Sequence, residues 1–223
     1  MPGARPKIIY FDLRGRAEPI RLALEDLGEA YDEDRVSAER WSAMKPATPF
    51  GVLPILEEGE LRLPETLAIY QHIARTRDLY GRSETDRSAC DVALSATNEA
   101  IGVVWGQFWR PDCEATLGAF MRDEIEPLLG RFQRWFRRDG RTAVHWAGES
   151  LTFADYFAFR FLDEIDAFFP QALARHGDLL AFWSAFSQRP GIAAYIASDR
   201  RPKAFGVGID GPKLDMRPHP AAS

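Results

Sequence analysis

Cysteine is scarce in this 223-residue sequence, which contains only Cys90 and Cys113. Two cysteines are too few for a disulfide framework, and their separation is not that of metal ligands. The four histidines are scattered without a pairing pattern, so we predict no metal site. A reducing compartment, the cytoplasm, is the default location for a chain with this cysteine content.

Long apolar runs and an excess of positive charge are also missing. No stretch approaches the roughly 20 apolar residues that a membrane-spanning helix needs, and the N-terminal residues lack the apolar core of a signal peptide. The net charge is −5 and the pI about 5.5, so no basic domain is available to bind phosphate backbones. We therefore expect a cytoplasmic protein that binds neither membranes nor nucleic acid.

The first 80 residues alternate between strand-like and helix-like segments. Lys7–Phe11 is a short β-branched and aromatic run, which predicts a strand. An amphipathic helix is predicted between Pro19, which suits a first helical turn, and Gly28, which suits a helix C-terminus. Two short strands meet at a turn containing Gly59. The predicted element order is β-α-β-α-β-β-α.

The rest of the chain has helical periodicity, clearest in Leu117–Phe136 and Phe153–Phe168. No strand signal of comparable strength appears there, whereas Pro and Gly from about Asp199 predict an irregular tail. The predicted organisation is an α/β domain over 1–80, a linker over 81–88 and an all-helical domain over 89–223.

Four separated motifs resemble those of the cytosolic glutathione transferases. Each is weak alone, but the four occur in the family's order and spacing over nearly the whole chain. The first resembles the tyrosine-type classes, the sigma class most closely. The motifs are Tyr10–Glu18, Pro49–Leu56, Leu63–Ile69 and Gly148–Asp155. The resemblance implies an N-terminal thioredoxin-like domain with a mixed four-stranded sheet, followed by an all-α domain.

The resemblance gives Tyr10 and Arg16 catalytic roles. A thiol with a pKa of about 8.5 is mostly protonated at neutral pH, and a phenol that donates a hydrogen bond to the sulfur favours the nucleophilic thiolate. Arg16 would add positive charge beside the sulfur. A surface tyrosine and an Arg16–Glu18 ion pair are the alternatives. Residues 1–89 contain no cysteine and the first serine is Ser37, so Tyr10 is the candidate for activating the thiol.

The resemblance also assigns residues that bind glutathione, the co-substrate. In this family the proline that opens the third strand is cis, so Leu53 and Pro54 would pair with the cysteinyl part through the Leu53 backbone. Glu65 and Thr66 would hold the γ-glutamyl end, with Thr66 as a helix N-cap. An ordinary trans proline and a simple helix cap are the alternatives.

Three further residues complete the predicted glutathione site. Trp41 and Lys45 share one helix face and would contact the glycyl carboxylate. Glu99 would reach the γ-glutamyl amine of the partner subunit. An exposed lysine beside a packed tryptophan, and an exposed helix carboxylate, are the respective alternatives.

The second substrate is expected to be a hydrophobic electrophile. It would contact apolar residues of both domains. A core position is the alternative for Trp105, Phe108 and Trp109, and it is slightly favoured for Phe108. The proposed contacts are Phe11, Leu13, Trp105, Phe108 and Trp109.

The resemblance implies a homodimeric enzyme that adds glutathione to electrophiles by substitution or conjugate addition. Phe50 is a candidate for docking into the partner. Peroxide reduction or isomerisation would use the same thiolate. A non-catalytic glutathione-binding or structural protein on the same scaffold is the alternative. Thr152 and Asp155, by contrast, are predicted to form a structural capping box at the start of a helix.

Overall fold

A computed structural model describes residues 4–138 and 144–206. The chain divides into two compact units: one joins the residues up to Leu79 with Pro190–Gly206, and the other holds Tyr80–Arg189. The predicted irregular tail is described as far as Gly206 and has no helix or strand over 199–206. Residues 207–223 lie outside the described part.

A mixed four-stranded sheet forms the centre of the first unit, as predicted. Its spatial order is β2-β1-β3-β4. β1 pairs with β2 in parallel, whereas the β1–β3 and β3–β4 pairs are antiparallel. The strands are β1 Lys7–Phe11, β2 Asp32–Val36, β3 Ile55–Glu58 and β4 Leu61–Pro64.

The helices of the first unit follow local signals in the sequence. Pro19 lies in the first turn of α1, and Gly28 just beyond its end has a φ of +65°, a left-handed conformation that glycine adopts without steric penalty. The Ser37 hydroxyl caps α2 by accepting the N–H of Arg40. The helices are α1 Glu18–Asp26, α2 Ala38–Met44, α3 Thr66–Thr76 and α10 Pro190–Ile196.

The second unit is helical over its described residues. α7 runs through its middle and is buried over most of its length, so its aromatic side chains form much of the core. The helices are α4 Glu84–Phe108, α5 Cys113–Phe120, α6 Glu126–Phe136, α7 Phe153–Phe168, α8 Pro170–Ala174 and α9 Gly177–Ser187. A π-helical turn, Met121–Ile125, joins α5 to α6 just before Pro127, which lacks the N–H that an unbroken helix requires.

Two boundaries differ from those expected. The linker predicted over 81–88 is shorter, because Ser83 and Asp86 form a capping box that starts α4 at Glu84. Pro190–Gly206, predicted as part of the helical domain, clusters with the first unit instead. α10 packs on α1, where a Cβ on Gly191 would lie 2.6 Å from the Cα of Asp26.

Candidate functional site

The strand register brings the predicted glutathione-binding segments of the first unit to one end of the sheet. Ile9 pairs with Ile55, and Ile55 pairs with Pro64. The end of β1, the start of β3 and the end of β4 therefore lie side by side. Tyr10, Pro54 and Glu65 each stand one residue beyond one of these paired positions.

Tyr10 is held by the turn that follows β1. Its side chain is 5% exposed, and its hydroxyl oxygen accepts the backbone N–H of Arg16 at 3.1 Å. The Arg16 carbonyl in turn accepts the hydroxyl of Tyr70 on α3 at 2.5 Å. A phenol that accepts a hydrogen bond is polarised toward donating its own proton, so this arrangement suits a group that donates to sulfur.

Gly15 lets the turn approach the phenol closely. Its φ is +44°, and a Cβ placed on it would lie 2.5 Å from the Tyr10 hydroxyl oxygen and 2.5 Å from Cδ1 of Leu13. No side chain larger than hydrogen fits this position without displacing Tyr10 or Leu13.

A buried charge network stabilises the residues after the turn. Glu18, the first residue of α1, accepts from Arg201 Nε at 2.7 Å and from the Tyr195 hydroxyl at 3.1 Å, and pairs with Arg21 at 3.4 Å. Burial alone would raise the pKa of Glu18, but the positive charges of Arg201 and Arg21 outweigh it and lower that pKa. The Glu18 carboxylate is thus engaged by these partners, whereas the sequence left a pair with Arg16 open.

Phe11, Trp41 and Leu53 meet on the other face of β1. Successive strand residues point to opposite faces, so the Tyr10 and Phe11 side chains leave β1 on opposite faces, although their ring centres are only 5.8 Å apart. Its ring meets the Trp41 ring edge-on at 6.3 Å. Both rings and Leu53 pack on a small apolar cluster of Ile9, Val36 and Ile55. This cluster fixes α2 and the β3 entry against the sheet.

Lys45 is the C-cap residue that follows α2, and it is exposed. Its side chain runs past Gly51, where a Cβ would lie 3.3 Å from Cε of Lys45. The Lys45 side chain therefore lies beside the loop that leads to Leu53.

The Leu53–Pro54 peptide bond is cis, as the family resemblance implied. Glu65 has φ +72° and ψ +118°, a conformation that a non-glycine residue rarely adopts and that often accompanies a binding site. The prediction that Thr66 is the N-cap is wrong: Glu65 is the N-cap and Thr66 the first residue of α3. The reason is that Glu65 has the non-helical dihedral angles. Thr66 consequently contributes one of the first-turn N–H groups, which favour anions.

In the second unit, Glu99 is exposed on α4 and lines a groove between α4 and α6. The groove has a volume of about 250 Å³. Its other lining residues are mostly apolar: Val92, Ala93, Ala96, Ala100, Val103, Leu128, Arg131, Phe132 and Trp135.

Trp105 is fixed by a buried ion pair. Its indole N–H donates to Glu164 at 2.7 Å, and Glu164 accepts from Arg160 at 2.6 Å. The Arg160 guanidinium lies 5.2 Å from the indole ring centre. Burial raises the pKa of Glu164, and the Arg160 charge opposes that rise.

Phe108 and Trp109 differ from each other in burial. Phe108 is 2% exposed and packs on Phe168 with ring centres 4.7 Å apart, so the structure places it in the core and not on a surface for the second substrate. Trp109 is 55% exposed and ends α4.

The predicted capping box of α7 is confirmed. The buried Asp155 carboxylate accepts the Thr152 N–H at 2.7 Å, the Thr152 hydroxyl at 2.9 Å and the Trp146 N–H at 2.9 Å. These bonds fix the N-cap residue Thr152 and the upstream Trp146 backbone to the first turn of α7.

The sequence did not reveal the roles of Gly15 and Tyr70 beside Tyr10. Gly15 itself is the available signal, because a glycine in a turn can adopt a left-handed φ that other residues avoid.

The two cysteines offer no reactive thiol near neutral pH. Both are buried free thiols. Burial raises the pKa of Cys90 to about 12 and also raises that of Cys113, so neither forms a thiolate near neutral pH.

Across the described ranges, no group of three or more His, Cys, Asp or Glu side chains is arranged to hold a metal ion. Within these same ranges no helix is both long and apolar enough to cross a membrane.

Family models match both parts of the chain. The glutathione S-transferase N-terminal domain matches residues 6–75, and the glutathione S-transferase C-terminal domain matches residues 104–199.

Curated relatives align over most of their length. Glutathione S-transferase P of Caenorhabditis elegans is 32% identical, covering 85% of this chain and 91% of the relative. Glutathione S-transferase 1 of Ascaris suum is 30% identical, covering 88% and 97%. The solved Pi-class glutathione S-transferase of Onchocerca volvulus superposes with a TM-score of 0.79 at 27% identity, covering 85% of this chain and 91% of that one. Closeness to the sigma class stays a prediction. The chain belongs to the glutathione S-transferase family.

Proposed function

We propose that this protein is a glutathione transferase whose catalytic residue is Tyr10. The observation that carries the proposal is the 3.1 Å hydrogen bond from the Arg16 N–H to the Tyr10 hydroxyl oxygen. It orients and polarises the phenol at the end of the sheet where the cis Leu53–Pro54 bond and Glu65 also lie.

In the proposed reaction the Tyr10 hydroxyl donates to the sulfur of glutathione, and Arg16 adds positive charge beside it. Both interactions favour the thiolate. The thiol proton leaves to solvent, and the sulfur electron pair forms a new bond to the electrophilic atom. In substitution the leaving group departs with its electron pair; in conjugate addition the carbanion that forms takes up a proton.

The remaining predicted residues would bind the substrates. We propose that the Leu53 backbone pairs with the cysteinyl unit, while Pro54 fixes the approach of that strand. In this scheme Glu65 and Thr66 bind the γ-glutamyl end, with Glu65 accepting from the ammonium and the first-turn N–H of Thr66 facing the carboxylate.

Trp41 and Lys45 would contact the glycyl carboxylate, Lys45 through its charge and Trp41 through its indole N–H. Phe11, Leu13, Trp105 and Trp109 would contact a hydrophobic electrophile, whereas we leave Phe108 in the core.

The experiment is turnover of a panel of electrophiles and hydroperoxides by wild type and Tyr10→Phe. Tyr31→Phe is the matched control, since Tyr31 donates to Glu25 at 2.8 Å and lies outside the proposed site. We expect a loss of about 100-fold or more for Tyr10→Phe and wild-type rates for Tyr31→Phe.

Equal rates for all three proteins would refute the catalytic role of Tyr10. Retention on immobilised glutathione without turnover of any panel member would favour the non-catalytic alternative. The panel also distinguishes conjugation from peroxide reduction. Both activities would use the same thiolate, so the presence of the thiolate does not distinguish them.

We propose that the protein works as a homodimer. Phe50 is 66% exposed on the loop before β3, and a large exposed aromatic residue often marks an interaction surface. The groove between α4 and α6 exceeds the roughly 150 Å³ apolar cavity that holds benzene. Phe50 of one subunit would occupy this groove of the other, which would also bring Glu99 to the interface, as its proposed contact with the partner's glutathione requires.

Light scattering of Phe50→Ala tests this interface, with Leu27→Ala as the control because Leu27 is also an exposed apolar residue (42%). The dimer should dissociate at a higher concentration only in Phe50→Ala. A monomeric wild type would refute both the Phe50 and the Glu99 contacts.

We also propose a cytoplasmic location, supported by the two free thiols. Cell fractionation tests it, and recovery outside the cytoplasm would contradict it.

A further inference from the structure

The turn that holds Tyr10 is paired with Pro202–Phe205, a segment 188 or more positions away in the sequence. The Arg14 N–H donates to the Ala204 carbonyl at 2.8 Å, and the Gly15 N–H donates to the Phe205 carbonyl at 2.8 Å. The Arg14 side chain adds a bond from Nε to the Pro202 carbonyl at 2.9 Å. Pro202–Phe205 therefore supplies carbonyl partners for two consecutive backbone N–H groups of the turn and for the Arg14 side chain.

Phe205 joins this pairing through its side chain as well. The guanidinium carbon of Arg14 lies 3.9 Å from the centre of the Phe205 ring, a stacking distance for a cation on an aromatic face. Phe205 is buried, whereas its neighbours Lys203 and Ala204 are exposed. The ring thus packs against the Arg14 side chain of the turn, while Lys203 and Ala204 lie at the surface.

The start of the segment is anchored next to the same turn. Arg201 donates to Glu18, and both side chains are almost fully buried. Glu18 follows the turn directly, as the first residue of α1. The segment is therefore tied to the chain on both sides of Gly15.

A shift of the turn would displace the Tyr10 phenol directly, because the turn contacts the hydroxyl oxygen. The Arg16 N–H donates to the Tyr10 hydroxyl oxygen, and the side of Gly15 that would carry a Cβ packs against the same oxygen. If Arg14 and Gly15 lost their carbonyl partners, this N–H would change its distance and angle to the phenol.

We propose that Phe205 is a positioning residue for Tyr10, acting through Arg14 and Gly15. This inference rests on the proposed function, since it concerns how the phenol is aimed at sulfur. Phe205 itself contacts neither substrate in this scheme. It fixes the turn, and the turn fixes the hydroxyl.

The test compares Phe205→Ala with Phe205→Tyr and Lys203→Ala in the full chain. Phe205→Tyr keeps the ring, and Lys203→Ala alters an exposed neighbour in the same segment. The readouts are kcat, KM for glutathione, the pH profile of kcat/KM and the melting temperature. A misplacement approaching 1 Å lowers rates by up to about 100-fold.

We expect Phe205→Ala to lower kcat by tenfold or more, by this same misplacement argument, and to move the pH profile to higher pH. Phe205→Tyr should restore both properties, and Lys203→Ala should match wild type. If Phe205→Ala fails to fold, Arg14→Met tests the same link, because it removes the Nε donor and the stacked cation.

A variant that melts earlier but keeps the wild-type kcat and pH profile would overturn the inference, since Phe205 would then be only structural. The proposed function is refuted by a different result, namely a wild-type turnover rate in Tyr10→Phe. A slow Tyr10→Phe together with an unchanged Phe205→Ala would refute the positioning role alone.

Discussion

Gly15→Ala is the substitution for which the structure makes its sharpest prediction. The added methyl would lie 2.5 Å from Cδ1 of Leu13 and from the Tyr10 hydroxyl oxygen, and 2.8 Å from Cε1 of Tyr10. Non-bonded carbon contacts have their optimum at about 3.5–4.0 Å, so the methyl or the phenol must move by about 1 Å.

Two terms set the loss of stability. An L-residue in the left-handed region costs about 1–2 kcal/mol, and the φ of +44° lies there. Overpacking costs about 1–3 kcal/mol more. We expect the free energy of unfolding to fall by about 2–5 kcal/mol, and the displaced phenol to lower kcat by up to about 100-fold.

Gly28→Ala is the matched control. Gly28 has a φ of +65° but nothing within 4 Å of its added Cβ, so it isolates the backbone term of about 1–2 kcal/mol and should keep full activity. Chemical denaturation and steady-state kinetics measure both variants. If Gly15→Ala matches Gly28→Ala in stability and rate, the contact between the turn and Tyr10 does not constrain the phenol.

Two further predictions concern stability. Asp155→Ala leaves three buried donors without their acceptor and should lower the free energy of unfolding by about 3 kcal/mol or more, without changing KM for glutathione; denaturation showing no loss would refute the structural role of the capping box. Glu18→Gln should cost roughly 3–5 kcal/mol near neutral pH, because it leaves the buried Arg201 without its anion; Arg21 keeps its ion pair with Glu33 at 2.6 Å. The folded-state pKa of Glu18 is lowered below its ordinary value of 4.5, so its contribution is present above pH 4.5 and is lost as the pH falls through the folded pKa. The stability difference between wild type and Glu18→Gln should therefore shrink in acid, and a difference independent of pH would contradict the charge network.

The sequence predicted the sheet and most helices because their signals are local. Pro19, Gly28 and Gly59 mark boundaries through backbone restrictions that hold in any context. Alternation along β1 likewise assigns the Tyr10 and Phe11 side chains to opposite faces of the strand. The end of the sheet at which the site forms then follows from strand order.

What could not be predicted depends on residues far apart in the chain. Glu18 and Arg201 are 183 positions apart, so no periodicity indicates that Pro190–Gly206 joins the first unit. The dihedral angles of Glu65 could not be predicted from the sequence either, because a positive φ is typical of glycine and asparagine and rare for glutamate. That is why the N-cap was placed one residue late, at Thr66.

The ionisation of bound glutathione tests the central claim most directly. Thiolate absorbance is followed against pH for glutathione bound to wild type and to Tyr10→Phe. We predict a bound thiol pKa well below the ordinary value of about 8.5 in wild type, returning toward that value in Tyr10→Phe. The same thiol pKa in both proteins would refute the role of Tyr10 in activating the thiol.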